Sequence, residues 1–290
     1  MKKYFSLVLF AHSVFALPFA LIGFFLGVIS TPNPFNWMLF VQVLLCMIFA
    51  RNSAMAFNRF LDRKIDARNP RTQMRDIPSG KVSSNEALIF VIINCILFII
   101  TTFFINSLCF YLSPVALFVV LFYSYTKRFT ALCHLVLGLG LSLAPIGAYI
   151  AVTGAFSIVP VLYSFAVLFW VSGFDIIYAL QDEAFDKGEE LHSIPAALGI
   201  KNALRLSVVL HTLSALCVVL PIFYAAFSFG YFYYIGVIFF CFMLIYQHLL
   251  VKPNDISKVN RAFATTNGFA SVIFAACFLI DVFLRTNFNL

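Results

Sequence analysis

Nine apolar stretches, each close to the length of about 20 residues that a helix needs to cross hydrocarbon, constrain this chain more than anything else in it. They run roughly from 4 to 30, 36 to 57, 87 to 106, 110 to 126, 131 to 152, 157 to 180, 203 to 227, 230 to 250 and 262 to 284. A bilayer core offers no water to backbone amides, so segments of this kind must satisfy their own hydrogen bonds as helices. Only 11% of the 290 residues are charged and 62% are hydrophobic, about half the charge of an ordinary soluble domain. The expected fold is all-α and integral to the membrane, one membrane-embedded domain over residues 1–290. The first stretch follows Lys2 and Lys3 as a signal peptide would. It runs too long for one, contains Pro18, and has no convincing small-residue cleavage site before Thr31, so it reads as a retained helix.

Basic residues fix the expected orientation. Of the 19 Lys and Arg residues, all but Arg285 fall on alternate sides of consecutive helices: before the first, between the second and third, and in every second loop after that. The positive-inside rule then places the N-terminus and the charged loops in the cytoplasm, in a bacterial inner membrane. The net charge of +7 is thus membrane-side charge, and no nucleic-acid motif accompanies it. The seven cysteines are scattered singly through apolar segments with no metal-ligand spacing, as small core hydrophobes would be. His12, His134, His211 and His248 stand singly in apolar surroundings and read as core or lipid-interface residues.

One charged block breaks the apolar pattern at residues 58–81, NRFLDRKIDARNPRTQMRDIPSGK. Asn58, Asp62 and Asp66 recur every four residues, which lines their oxygens along one helical face. Alone, such a row is most simply a solvated, ion-paired surface beside Arg59 and Arg63. A second acidic set lies at residues 175–199, at the same membrane side of the sixth helix, where the spacing puts Asp175, Asp182 and Asp186 on one helical face, with Tyr178 nearby. Two clusters of carboxylates on one side repel each other unless a shared cation binds them, and an all-oxygen ligand set suits Mg²⁺. Arg63, Arg71, Arg75, Lys81, Lys127 and Arg128 lie on that side too, and guanidinium groups grip phosphate oxygens. Metal, bases and a lipid-embedded bundle together suggest an enzyme acting on a lipid diphosphate, with aromatic rings sheltering the carbocation left by the departing group.

Those two stretches resemble the paired aspartate-rich motifs of the UbiA superfamily of intramembrane prenyltransferases. Asn58, Asp62 and Asp66 match the family's N-D/R-x-x-D-x-x-x-D, and Asp175, Tyr178, Ala179, Asp182 and Asp186 match D-x-x-Y-A-x-x-D-x-x-x-D. RTQMRDIPSG and YSYTKRF resemble two further family segments, so the likeness covers essentially the whole chain. It implies nine helices as two four-helix repeats plus one, with cytoplasmic caps carrying the aspartates. It also implies Mg²⁺-dependent transfer of a polyprenyl chain from its diphosphate to an aromatic ring in quinone biosynthesis. Carried over, Asp62 and Asp66 with Asn58 would bind one Mg²⁺, and Asp182 and Asp186 a second. Arg63, Lys127 and Arg128 would hold the diphosphate, and Asp175 and Tyr178 would line the reaction chamber. Arg59 and Asp76 depart from the pattern, standing where many 4-hydroxybenzoate enzymes have Asp and Pro. The acceptor is expected to be 4-hydroxybenzoate, with 1,4-dihydroxy-6-naphthoate of menaquinone biosynthesis as the alternative.

Arg51 lies seven residues before Asn58, on the same helical face about two turns deeper. A charge there is costly without a partner, which makes it the candidate for an acceptor carboxylate; snorkelling at a helix end is the plainer reading. The segment from Asp186 to Gly199 is either a lid or a fixed cap. A secondary transporter also combines repeats with intramembrane acids, but here the acids gather toward one face, and Asp281 alone sits inside a late helix. A scaffold would need neither acidic face.

Overall fold

The computed structural model describes residues 15–32 and 35–285; Lys2, Lys3 and His12 lie outside them. The described chain is helical throughout: α1 (Leu17–Ile29), α2 (Trp37–Arg68), α3 (Ser84–Phe103), α4 (Ser107–Thr126), α5 (Cys133–Thr153), α6 (Ile158–Ala179), α7 (Glu183–Gly188), α8 (Ile194–Val219), α9 (Pro221–Tyr224), α10 (Tyr231–Leu250) and α11 (Asn267–Arg285). Eight segments are long and apolar enough to span a membrane, and α1 is a shorter apolar helix beside them. Among the described residues, these eight spans together with α1 fit the nine-helix expectation, and the protein is integral to the membrane.

Polar side chains cap the starts of several helices. Asn36 caps α2 by accepting from Leu39 N–H at 3.1 Å. Ser83 and Glu86 form a reciprocal capping box at the start of α3. Asn106 caps α4, accepting from Cys109 N–H at 2.8 Å, and its amide donates to Ile150 O at 3.0 Å, which fastens α4 to α5. Outer faces stay apolar where lipid is the solvent: Ile235, Ile238, Phe242, Ile245 and Leu249 of α10 repeat every three or four residues and are all exposed.

The inner faces bury aromatic rings. Trp170, Tyr163, Phe19, Phe24, Tyr233, Phe240, Phe274 and Phe278 are fully enclosed. Their polar atoms are paired, as an apolar interior requires: Trp170 Nε1 donates to Asn267 Oδ1 at 2.9 Å, and Tyr163 OH to Tyr233 OH, which passes its own proton to Val218 O at 2.6 Å. Close helix approaches hold α6 at the centre. A Cβ on Gly138 of α5 would lie 2.5 Å from Leu168 O, and one on Gly173 of α6 would lie 2.3 Å from the His211 ring on α8. Neither position admits a side chain without movement.

Two helix boundaries depart from the expected ones, and the second acidic set does not ride on from the sixth helix as its spacing implied. α2 continues to Arg68, and its 32 residues span about 48 Å against a hydrocarbon core of about 30 Å, so its last turns project past the bilayer carrying the first acidic set. α6 stops at Ala179 and a 3₁₀ turn, Leu180–Asp182, precedes α7, so Asp175, Asp182 and Asp186 do not ride one continuous helix. α8 starts at Ile194 rather than near 203, with Gly199 at φ 73° kinking its first turns. α2 and α6 are each the second span of successive four-helix sets, so both acidic sets leave the membrane on the same side.

Candidate active site

α2 ends because Pro70 follows the Asn69 C-cap and cannot continue it. The chain then folds back through a series of turns, with Gly80 at φ 76° and Val82 N–H returning to Asp76 O at 3.0 Å. This return lays two arginines over acids from different parts of the chain. Arg75 Nη1 meets both oxygens of Asp66 at 2.9 and 3.0 Å. Arg71 meets Asp182 through Nε at 3.0 Å and also through Nη2. Asn69 Nδ2 donates to the same Asp182 at 3.1 Å. The end of α2 is thereby bonded directly to the second acidic set.

The turn between α4 and α5 supplies the other two bases. Arg128 Nη2 lies 2.8 Å from Asp62 Oδ1, and Lys127 Nζ lies 2.8 Å from Asp186 Oδ1. Four aspartates therefore face four bases one to one: Asp62 with Arg128, Asp66 with Arg75, Asp182 with Arg71, and Asp186 with Lys127. The acids are 1 to 15% exposed and the bases 30 to 31%, so the carboxylates form the floor and the cations the mouth. Lys127 also lies within electrostatic range of Asp62 and Asp182, between the two sets. Burial works against the charge on Arg71, but its bonds to Asp182 and Tyr178 outweigh that and hold its pKa above the ordinary value. Arg71 stays cationic at any working pH.

Below the charges the site turns aromatic. Tyr178 OH accepts from Arg71 Nη1 at 2.9 Å, and its ring lies 5.1 Å beneath that guanidinium. The other side of the ring stacks on Phe263 at 4.1 Å. Phe263 belongs to a π-helical turn, Arg261–Thr266, before α11, where Asn267 Nδ2 bonds Ala262 O and Phe263 O. Phe263 in turn contacts Phe174 and Phe15, so packed rings continue from the charged cluster into the core.

Most of the residues singled out from sequence converge here. Asn58 Nδ2 donates to Asp62 Oδ2 at 2.9 Å. Arg63 stands apart: it donates to Phe60 O at 2.6 Å and lies over the Phe60 ring, while Arg71 and Arg75 take the places beside the acids. Arg51 is half-buried, two turns deeper in α2 than Asn58. The reading of His134 as a lone core residue is overturned: its Nδ1 lies 2.6 Å from Asp175 Oδ2. Nor are His211 and His248 single, since their rings pair at 2.8 Å. Asn69 and Tyr123 escaped notice in the sequence; Tyr123 lies within electrostatic range of Asp62, Asp175 and Arg75, and only its place in YSYTKRF hinted at a role. Among the described residues no three His, Cys, Asp or Glu side chains gather as a self-sufficient metal cage. The oxygen-only floor nevertheless suits Mg²⁺, which takes one or two carboxylates and completes its coordination with phosphate and water.

The profile of the UbiA prenyltransferase family matches residues 16–276. The chain belongs to this family. Among curated relatives, it is 30% identical over 269 residues to the 4-hydroxybenzoate octaprenyltransferase of Nitrosomonas europaea, covering 91% of this chain and 88% of the relative. It is 30% identical over 245 residues to the enzyme of the same name from Aliivibrio salmonicida, covering 83% of this chain and 84% of that one. Among solved structures, the apo UbiA homolog from Aeropyrum pernix K1 superposes with a TM-score of 0.83 at 30% identity, covering 93% of this chain and 98% of the other. A UbiA homolog from Archaeoglobus fulgidus bound to DMAPP and Mg²⁺ shares the fold, with a TM-score of 0.74 at 23% identity, covering 97% and 99%.

This UbiA chain is accordingly a prenyltransferase, which removes the transporter reading. Asp281, the acid that could have marked a transport path, accepts from Gly230 N–H at 2.7 Å and lies 3.8 Å from Arg285 at the far end of α11.

Proposed function

We propose that this prenyltransferase moves a polyprenyl chain from its diphosphate to the ring of an aromatic acid, 4-hydroxybenzoate, in quinone biosynthesis, and that it requires Mg²⁺. The observation that carries this reading is the one-to-one pairing of four aspartates with four bases across the two motifs. When substrate enters, Arg71, Arg75, Lys127 and Arg128 exchange their carboxylates for diphosphate oxygens. Asp62 and Asp66 with Asn58, and Asp182 and Asp186, are then free to hold metal. Bound there, Mg²⁺ supplies neutralising charge for the departing diphosphate. Arg63 serves the diphosphate less directly than the sequence suggested, since it is engaged with Phe60.

The reaction follows from this arrangement. The allylic C–O bond breaks, its electron pair leaves with the diphosphate, and the bases at the mouth hold the charge that develops. The electron-poor carbon lies beside the stacked Tyr178 and Phe263 rings and the Phe174 ring that continues them, whose packing excludes water. A ring carbon of the acceptor forms the new C–C bond, and the displaced ring proton passes to water or the released diphosphate. Asp175 lines this chamber, and Arg51 pairs with the acceptor carboxylate deeper in α2. The names of the curated relatives support the benzoate as acceptor. The alternation of basic loops supports a cytoplasmic N-terminus and cytoplasmic active-site loops, in a bacterial inner membrane.

The test is an assay on membranes containing the protein, with labelled polyprenyl diphosphate, Mg²⁺ and either 4-hydroxybenzoate or 1,4-dihydroxy-6-naphthoate, run beside Asp62→Asn and Asp182→Asn. Prenylated benzoate, lost on chelation and in both variants, is the expected result. Product from the naphthoate alone would move the enzyme to menaquinone biosynthesis, and product insensitive to chelation would overturn the metal requirement.

A further inference from the structure

His134 is 3% exposed, at the second position of α5, and each ring nitrogen has a partner across the chain. Nδ1 lies 2.6 Å from Asp175 Oδ2 on α6, and Nε2 lies 3.3 Å from the backbone N of Ile194, the first residue of α8. An amide N–H can only donate, so Nε2 must present its lone pair. The ring proton is then on Nδ1 and is donated to Asp175. The amide of Ile194 is among those a helix start leaves without an intrahelical acceptor, and Ser193 already accepts from Ala196 N–H at 3.3 Å. His134 thus completes the cap of α8 with one nitrogen and holds a carboxylate of the second motif with the other.

The surrounding contacts give this bridge a purpose. Between Asp186 and Ile194 the chain is stitched to the segment 127–134: Lys127 Nζ to Asp186, His192 N–H to Lys127 O at 2.8 Å, and Cys133 Sγ to His192 O at 3.5 Å. His134 is the last of these stitches and the one that also binds Asp175, whose side chain keeps 22% of its surface exposed and lines the reaction chamber on the function proposed above. We infer that His134 is a positioning residue of the active site, a neutral imidazole protonated on Nδ1 that fixes the Asp175 carboxylate relative to the start of α8. With Oδ2 held by the imidazole, one carboxylate oxygen is committed to the clamp and the carboxylate loses its rotational freedom. The segment after Asp186 is on this account a fixed cap that helps aim a chamber residue, rather than a lid.

Two substitutions separate the halves of the bridge. His134→Gln can place an oxygen where Nε2 stood and keep the bond to Ile194 while losing the donor to Asp175. His134→Asn can place its amide nitrogen where Nδ1 stood and keep the donor while losing the cap. In the folded protein, His134→Gln lowers kcat by about tenfold or more, the scale expected when a group in the site loses its orientation, with KM for the prenyl diphosphate changed less than about twofold. His134→Asn recovers most of that kcat although its melting temperature falls further. A merely structural role predicts that both variants lose activity in proportion to lost stability, and that result overturns the inference, as does a folded His134→Gln enzyme with kcat within about twofold of the parent. The kinetic effect presupposes the prenyl transfer proposed above, whereas the tautomer does not. A ¹⁵N-histidine NMR spectrum, with His134 assigned by its loss in His134→Gln, should give a neutral ring bare at Nε2. An Nε2-protonated ring or an imidazolium would overturn the inference whatever the enzyme's substrate.

Discussion

Replacing Lys127 by Ala tests how the acids and bases of the site are held. Asp186 is 1% exposed, and Lys127 Nζ lies 2.8 Å from its Oδ1 without the alignment of a hydrogen bond, so charge rather than a directed bond holds that oxygen. Removing the cation strands a buried carboxylate, which costs about 3 to 5 kcal/mol in a closed interior. Because the lysine end is 30% exposed and water reaches it, the low end of about 3 kcal/mol applies. For a chain of this size that lowers Tm by roughly 6 to 12 °C. The reverse change, Asp186→Asn, leaves an ammonium that turns to water and costs about 1 kcal/mol or less. Combining the two should therefore recover most of the stability lost in Lys127→Ala. Thermal unfolding of the four detergent-purified proteins, parent included, reads this directly. Equal losses in the single variants, or a double variant that loses their sum, would refute the reasoning that burial makes the pair asymmetric.

Other outcomes follow from neighbouring contacts. Arg71→Lys keeps the charge but loses the fork that serves Asp182 and Tyr178 together, so KM for the prenyl diphosphate should rise about tenfold, one charge-assisted hydrogen bond's worth, in steady-state assays. Arg51→Ala should raise KM for the aromatic acid and leave that for the prenyl diphosphate nearly unchanged; an equal rise in both would remove Arg51 from the acceptor pocket. Gly173→Ala puts a Cβ 2.3 Å from the His211 ring, and the overpacking should cost about 1 to 3 kcal/mol of stability, read as a lowered Tm.

The helix count and the common side of the two acidic sets were legible because they depend on local quantities: length, hydropathy and the spacing of acids. The row Asn58, Asp62, Asp66 was readable for the same reason, since α2 runs unbroken through it. The second set was less so. A 3₁₀ turn at Leu180–Asp182 rotates Asp182 and Asp186 away from the wheel a continuous helix would give. Which bases meet the acids depends on a fold-back of the chain after Pro70 that no periodicity announces, so spacing alone does not separate Arg71 and Arg75, which meet acids, from Arg63, which does not. His134 looked solitary because Asp175 is 41 residues away and Ile194 offers only a backbone amide. Tertiary partners of that kind leave no local pattern.

On the proposed function, four ion pairs open together when metal and diphosphate bind. Taking the bases from the acids with diphosphate alone leaves buried carboxylates unpaired, and metal alone must compete with four cations already in place. Each ligand should therefore strengthen the other's binding, by equal factors. The most direct measurement is calorimetric titration of the purified protein with inorganic pyrophosphate, with and without Mg²⁺, and the converse titration with Mg²⁺, each corrected for formation of the Mg²⁺–pyrophosphate complex in solution. Each ligand should tighten the other at least about tenfold, and Asp62→Asn with Asp182→Asn should abolish the coupling. Pyrophosphate binding equally well without metal would contradict this opening of the pairs.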